Sequence, residues 1–122
     1  MKIAIFGDVV GRSGRRALID ELPRLKRRLA LDFIIVNGEN AAAGFGVTAR
    51  IVEEMLEAGA DVITTGNHAF DQRDEVEIFR SESRLLRPLN FPASNPGRGA
   101  GLFETKDGRA VLVLHAQGQV EM

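Results

Sequence analysis

The chain has 122 residues, 44% of them hydrophobic and 27% charged, which suits one globular domain spanning residues 1–122. Sixteen basic and seventeen acidic residues leave a formal charge of −1, which argues against bulk electrostatic binding of nucleic acid or anionic membrane. With no cysteine and only two histidines, His68 and His115, disulfides and thiolate metal sites are excluded, and any metal site within the chain must lean on carboxylates and amides.

The first apolar run, Ile3 to Phe6, is broken by Gly7 and Asp8, too soon for a signal peptide. No stretch approaches the roughly 20 apolar residues that span a bilayer, and the expected location is the cytoplasm. Lys2–Phe6 reads as a strand. Leu18, Leu22, Leu25 and Leu29 then recur on one helical face, with Pro23 predicting a late start or a kink. The seven basic residues from Arg12 to Arg28 read as the solvated face of that helix rather than as a phosphate-binding patch. Ser13 is placed either to cap the helix or to touch phosphate. The glycine-rich start matches neither the dinucleotide fingerprint nor the P-loop.

Phe33–Val36 is a continuous apolar run, as in a strand buried on both faces. A small-residue loop, Ala41 to Gly46, follows. Thr48 is an N-cap for a second helix that buries Ile51, Val52, Met55 and Leu56 and closes at Gly59. Val62–Thr65 is the third strand. Asp71 is placed to cap a third helix carrying Val76 and Phe79. The segment from Pro88 to Gly101 reads as irregular chain, and Leu102–Thr105 with Ala110–Leu114 as a β-hairpin. The order β-α-β-α-β-α and then β-β predicts an α/β fold whose first three strands are parallel.

This order aligns Asp8, the pair Glu39 and Asn40, and the pair Asn67 and His68, each just past a strand. In a parallel sheet all of them reach the carboxyl edge, where open α/β sheets bind ligands. The separations, 31 residues from Asp8 to Glu39 and 28 from Glu39 to Asn67, fit βαβ units of about 30 residues. Taken singly, Asp8 and Asn67 read as turn residues, Glu39 as a surface charge and His68 as a structural histidine. Together they supply two carboxylates, two amides and an imidazole, a set suited to hard or borderline divalent cations. Two bridged ions about 3.5–4 Å apart clamp a phosphoryl centre and generate hydroxide near neutral pH. A free imidazole beside them protonates a leaving oxygen. His115 ends an apolar run without an acidic neighbour and reads as structural.

Four segments carry a family resemblance: Ile5 through Arg12, Val36 through Gly46, Gly66 through Asp71, and Leu86 through Pro92. The chain resembles the YmdB-like branch of the calcineurin-type metallophosphoesterases from Met1 to its last residue. The resemblance implies an αββα sandwich, of which this chain is the N-terminal half, and a phosphodiesterase acting on cyclic nucleotides. It implies a dinuclear iron or manganese centre, with magnesium and zinc compatible with the same donors. In it Asp8 and Asn40 bind the first ion, Glu39 bridges, Asn67 binds the second, and His68 is the proton donor. Family members continue into a second half that supplies three further histidine ligands. The expected mechanism is attack by a metal-bridging hydroxide. The isolated chain, with about half the site, is expected to be weak or inactive and to self-associate through a sheet face left uncovered. The alternatives are a non-catalytic metal-binding or association module and a metal-free nucleotide-binding domain.

Overall fold

Four strands, β1 (Ile3–Phe6), β2 (Phe33–Asn37), β3 (Val62–Thr64) and β4 (Leu85–Leu86), form one parallel sheet in the spatial order of the sequence. The computed structural model describes residues 1–118, so the last four residues of the family resemblance lie outside the described residues. Crossovers from β1 to β2 and from β2 to β3 run through α1 (Gly11–Arg28) and α2 (Ala49–Ala58). Register fixes the two faces of the sheet. Ile3 pairs with Phe33, Ile35 with Val62 and Thr64 with Leu86, so these side chains share one face. Phe6, Val36, Ile63 and Leu85 share the other.

Helices cover the second face. Leu18 and Leu22 from α1 and Val52 and Met55 from α2 pack with Ile34, Val36 and Ile63 in one buried cluster. The hairpin of β5 (Ala100–Glu104) and β6 (Ala110–Leu114) covers part of the first, its Val111 and Val113 packing with Phe33, Val62 and Leu86. The layers are therefore helices, parallel sheet and hairpin, as the α/β reading with a terminal hairpin expects.

Several local expectations need correction. Helix α1 neither starts late nor stops at Pro23, which lies inside it. The proline forfeits a backbone bond to the preceding turn, and burial of Leu18 and Leu22 on either side of the lost bond holds the helix together. Leu29 is not part of the buried stripe; it caps the helix C-terminus and is exposed. Ser13 lies within the first turn and caps nothing, because the helix opens at Gly11, where the backbone N–H of Gly11 donates to the Asn40 carbonyl at 3.0 Å. By contrast, Thr48 does cap α2, its hydroxyl accepting from Ile51 N–H at 3.2 Å, and Gly59 closes that helix at φ 126°. The expected third helix shrinks to a single 3₁₀ turn, Arg73–Glu75, and a four-residue helix α3 (Ile78–Ser81).

The short strand β4 has no counterpart in the sequence reading. Its two leucines carry too little pattern to mark a strand, and only pairing with β3 reveals it. The irregular stretch after it is organised by Arg87. This side chain is 5% exposed, and its guanidinium donates to the carbonyls of Pro88, Pro96 and Gly97 at 3.0, 3.4 and 3.3 Å. Arg87→Ala should therefore destabilise the chain by about 3 kcal/mol in denaturant unfolding, since three carbonyls lose a charged donor at once.

The outward face of the hairpin is apolar. Leu102 sits opposite Leu112 and Ala100 opposite Leu114, and the three leucines are 73%, 63% and 62% exposed. Ile5 on the edge strand β1 is also 73% exposed.

Candidate active site

The chain turns sharply past each of the first three strands, and the turns bring the predicted residues together. Asp8 sits at φ +45°, a left-handed conformation that aspartate tolerates better than most residues. The Asn40 amide donates to Asp8 Oδ1 at 2.6 Å, joining residues 32 apart in sequence. Backbone bonds from Val9 N–H to the Asn37 carbonyl (3.1 Å) and from Gly11 N–H to the Asn40 carbonyl (3.0 Å) carry β-like pairing beyond the strand ends. These bonds fix the Asp8 loop against the Glu39 loop.

Glu39 is held from both sides. Its N–H donates to Asn37 Oδ1 at 3.2 Å, and the Asn37 amide donates in turn to the Thr65 carbonyl at 3.2 Å, tying the end of β2 to the end of β3. Its carbonyl accepts from Gly46 N–H at 2.6 Å. The carboxylate lies flat against Gly66, where an added Cβ would fall 1.9 Å from Oε2. Burial pushes the Glu39 carboxyl above the ordinary glutamate range, the charge of Asp8 pushes it further, and His68 and a hydrogen bond from the Asn67 backbone partly offset both. Glu39 thus senses Asp8, Asn67 and His68 at once.

His68 is positioned by a partner that the sequence reading assigned elsewhere. Asp71 does not cap a helix; its Oδ2 lies 2.6 Å from His68 Nδ1. A carboxylate can only accept, so Nδ1 carries the hydrogen and Nε2 is left as the ring's free nitrogen. Phe45 meets the imidazole edge-on, with ring centroids 5.7 Å apart, and the Gln72 amide donates to the Phe45 carbonyl at 2.7 Å. The spacing of Asp71, three residues after His68, was the available signal for this pair. Phe45 and Gln72 carried none, because long-range folding alone sets their contacts, and for Asn37 the same holds for its bond to Thr65. The His115 backbone ties Leu89 to Gly99, its imidazole hydrogen-bonds the Thr65 backbone, and burial pushes that imidazole below the ordinary histidine range.

Two carboxylates and two amides on one edge offer a divalent cation four oxygen donors. Glu39 and Asp8 crowd like charges together, a cost that a cation relieves. The donor set fits such an ion but does not enclose one. Among the described residues, no group of three or more His, Asp or Glu side chains is arranged to hold a metal.

A sequence-family profile described as YmdB-like protein matches residues 4–122. The chain belongs to the YmdB-like family. A relative from Bacillus subtilis (strain 168), named 2′,3′-cyclic-nucleotide 2′-phosphodiesterase, is 39% identical over 119 residues, covering 98% of this chain and 45% of the relative. Among solved structures, a protein of Thermus thermophilus superposes with a TM-score of 0.90 at 37% identity, covering 100% of this chain and 47% of that one. A Mycoplasma pneumoniae protein titled a novel phosphatase superposes with a TM-score of 0.87 at 33% identity, covering 97% of this chain and 43% of the other. This YmdB-like chain thus spans about half the length of the relatives it matches. No helix among the described residues is long and apolar enough to cross a membrane.

Proposed function

We propose that this chain forms the metal-holding edge of a phosphodiesterase that hydrolyses cyclic nucleotides and supplies about half of its site. The observation that carries the reading is convergence. Asp8, Glu39, Asn40, Asn67 and His68 leave three different strands, yet they are coupled by one hydrogen bond, Asn40 to Asp8, and by the contacts of a single carboxylate, Glu39. The name of the Bacillus relative supports a 2′,3′-cyclic phosphodiester as substrate. The sparse donor set supports the half-site part, since four oxygen donors do not complete two coordination shells.

Asp8 and Asn40 would hold one divalent ion, Asn67 a second, and Glu39 both; the family resemblance implies iron or manganese, and the same donors are compatible with magnesium and zinc. Such ions supply Lewis acidity at phosphorus and activate water near neutral pH. The chain's own residues do the rest. Asn37 and Gly66 fix the Glu39 carboxylate in place. Asp71 keeps the hydrogen of His68 on Nδ1 and leaves Nε2 free, and Phe45 packs edge-on against the ring. In its protonated form His68 delivers a proton from Nε2 to the leaving ribose oxygen.

The test uses chelator-stripped chain re-supplied with Mn²⁺ or Fe²⁺ and assayed on a 2′,3′-cyclic nucleotide, alongside Mn²⁺ binding followed by electron paramagnetic resonance. The expected result is Mn²⁺ binding that Asp8→Asn removes, with slow turnover at most. Wild-type Mn²⁺ affinity in Asp8→Asn, or robust turnover in the presence of chelator, would overturn it. Asp71→Ala should leave His68 with mixed tautomers in imidazole ¹⁵N spectra and lower whatever turnover exists by about 10- to 100-fold.

Self-association also belongs to this reading. The outward leucines of the hairpin form a contiguous apolar strip, the kind of surface that marks an interface. Two copies meeting hairpin to hairpin would bury it. Leu112→Lys should then shift the chain from dimer to monomer in sedimentation velocity, and an unchanged sedimentation coefficient would remove the idea.

A further inference from the structure

One cavity lies away from Asp8 and Glu39. It has a volume of about 440 Å³ and sits between α1 and α2. Arg12, Arg15 and Arg16 line it from α1, and Arg50 lines it from α2. On α1 these side chains occupy one face, at spacings of three and four residues. The sequence alone assigned them to solvent, because nothing in it places Arg50, 34 residues downstream of Arg16, across the same cavity.

The charges there are largely uncompensated. Glu54 is the single acidic lining residue, and it is already paired with Arg50 at 3.1 Å. Arg15 donates to the carbonyl of Ala41, the residue after Asn40, which anchors the cavity wall to the loop of the proposed site. Among the described residues, Arg12 and Arg16 have no ion pair or side-chain hydrogen bond. Four guanidinium groups against one carboxylate leave three positive charges around one concave space. Such a concentration of like charge in a cleft attracts a compact polyanion. Guanidinium geometry matches phosphate oxygens in pairs. A single phosphate balances part of that charge, and two linked phosphates balance most of it.

We infer that this cavity binds a diphosphate group, either free or as the end of a nucleotide, at a site separate from the hydrolytic edge. Ile19 and Ile51 add an apolar wall on which a nucleoside can rest. The site uses none of the groups assigned to metal binding or proton transfer, so it stands or fails independently of the proposed hydrolysis.

The experiment is calorimetric titration of the whole chain, with excess chelator present, using inorganic pyrophosphate in one arm and a nucleoside diphosphate in the other. Chelator removes any binding through divalent ions. Both probes should bind at low salt, with affinity falling as ionic strength rises. The double variant Arg12→Ala with Arg16→Ala should weaken pyrophosphate at least tenfold. Both side chains are exposed on the helix, so thermal unfolding of that variant should match wild type, and Lys at both positions should restore part of the affinity. Asp8→Asn should leave binding unchanged. Tighter binding of the nucleoside diphosphate assigns the ligand as a nucleotide, and equal affinity assigns it as free diphosphate. No binding by the wild-type chain, equal affinity in the double alanine variant, or loss of binding in Asp8→Asn would each overturn the inference.

Discussion

Gly66→Ala should cost this chain both stability and affinity for Mn²⁺. An added Cβ meets Glu39 Oε2 at 1.9 Å and Cδ at 2.6 Å, far inside van der Waals contact. The carboxylate is not free to step aside, because the Glu39 backbone is fixed by Asn37 and Gly46 and the carboxylate accepts from the Asn67 N–H. Either the carboxylate leaves its place or the Gly66 turn shifts and carries Asn67 and His68 with it. Forced overpacking of this kind costs about 1–3 kcal/mol. Denaturant unfolding should register that loss. Mn²⁺ affinity should fall at least tenfold, because a proposed bridging ligand and its neighbour no longer face each other. Wild-type Mn²⁺ affinity in this variant would mean that Glu39 is not a ligand.

Glu39→Gln should separate these two effects. Mn²⁺ binding should drop by at least a hundredfold, since an amide does not bridge two cations as a carboxylate does. Stability measured in chelator should not fall. The folded chain holds the Glu39 proton more tightly than the unfolded chain, through burial first and the charge of Asp8 second. For an acid raised in this way, the native state binds more protons than the unfolded state, so stability declines as pH rises from the ordinary glutamate range through the raised value. Glutamine removes that decline. The wild-type chain should thus lose stability relative to Glu39→Gln on going from acid to neutral pH, and added Mn²⁺ should reverse the order at neutral pH by binding only the wild-type fold. A parallel pH dependence of the two proteins in chelator would show that Glu39 is not under this strain.

The opposite signs expected for these variants follow from one arrangement. Gly66 is small so that a strained carboxylate has room, and the carboxylate is strained first by burial and second by the charge of Asp8. Such a pair is costly for a structural role and useful for holding a cation, which is the pattern found where binding sites are built at the expense of fold stability.

Much of this arrangement was legible in the sequence. Asp8, Glu39, Asn40, Asn67 and His68 could be aligned because each follows an apolar run of strand length at a βαβ interval, and the parallel sheet turns equal intervals into a common edge. Thr48 and Gly59 could be assigned because caps are local chemistry. Other features escaped for physical reasons that differ from case to case. Strand β4 is two residues long and is defined by its partner. Asp71 satisfies the local pattern of a helix cap and of a histidine partner equally well, and folding of the loop chose the second. The unbroken α1 escaped because proline's local cost was outweighed by burial of Leu18 and Leu22.

The sequence by itself determined the order of the longer elements, the edge on which the donors gather and the family to which the chain belongs, because these depend on local pattern and on spacing along the chain. Tertiary structure decided how the donors are held: the amide of Asn40 on Asp8, the Glu39 carboxylate against Gly66, and the imidazole of His68 on Asp71. It also decided that four arginines, three on one helix and one on another, share a single cavity. Such contacts depend on how helices and loops pack, which spacing along the chain does not specify.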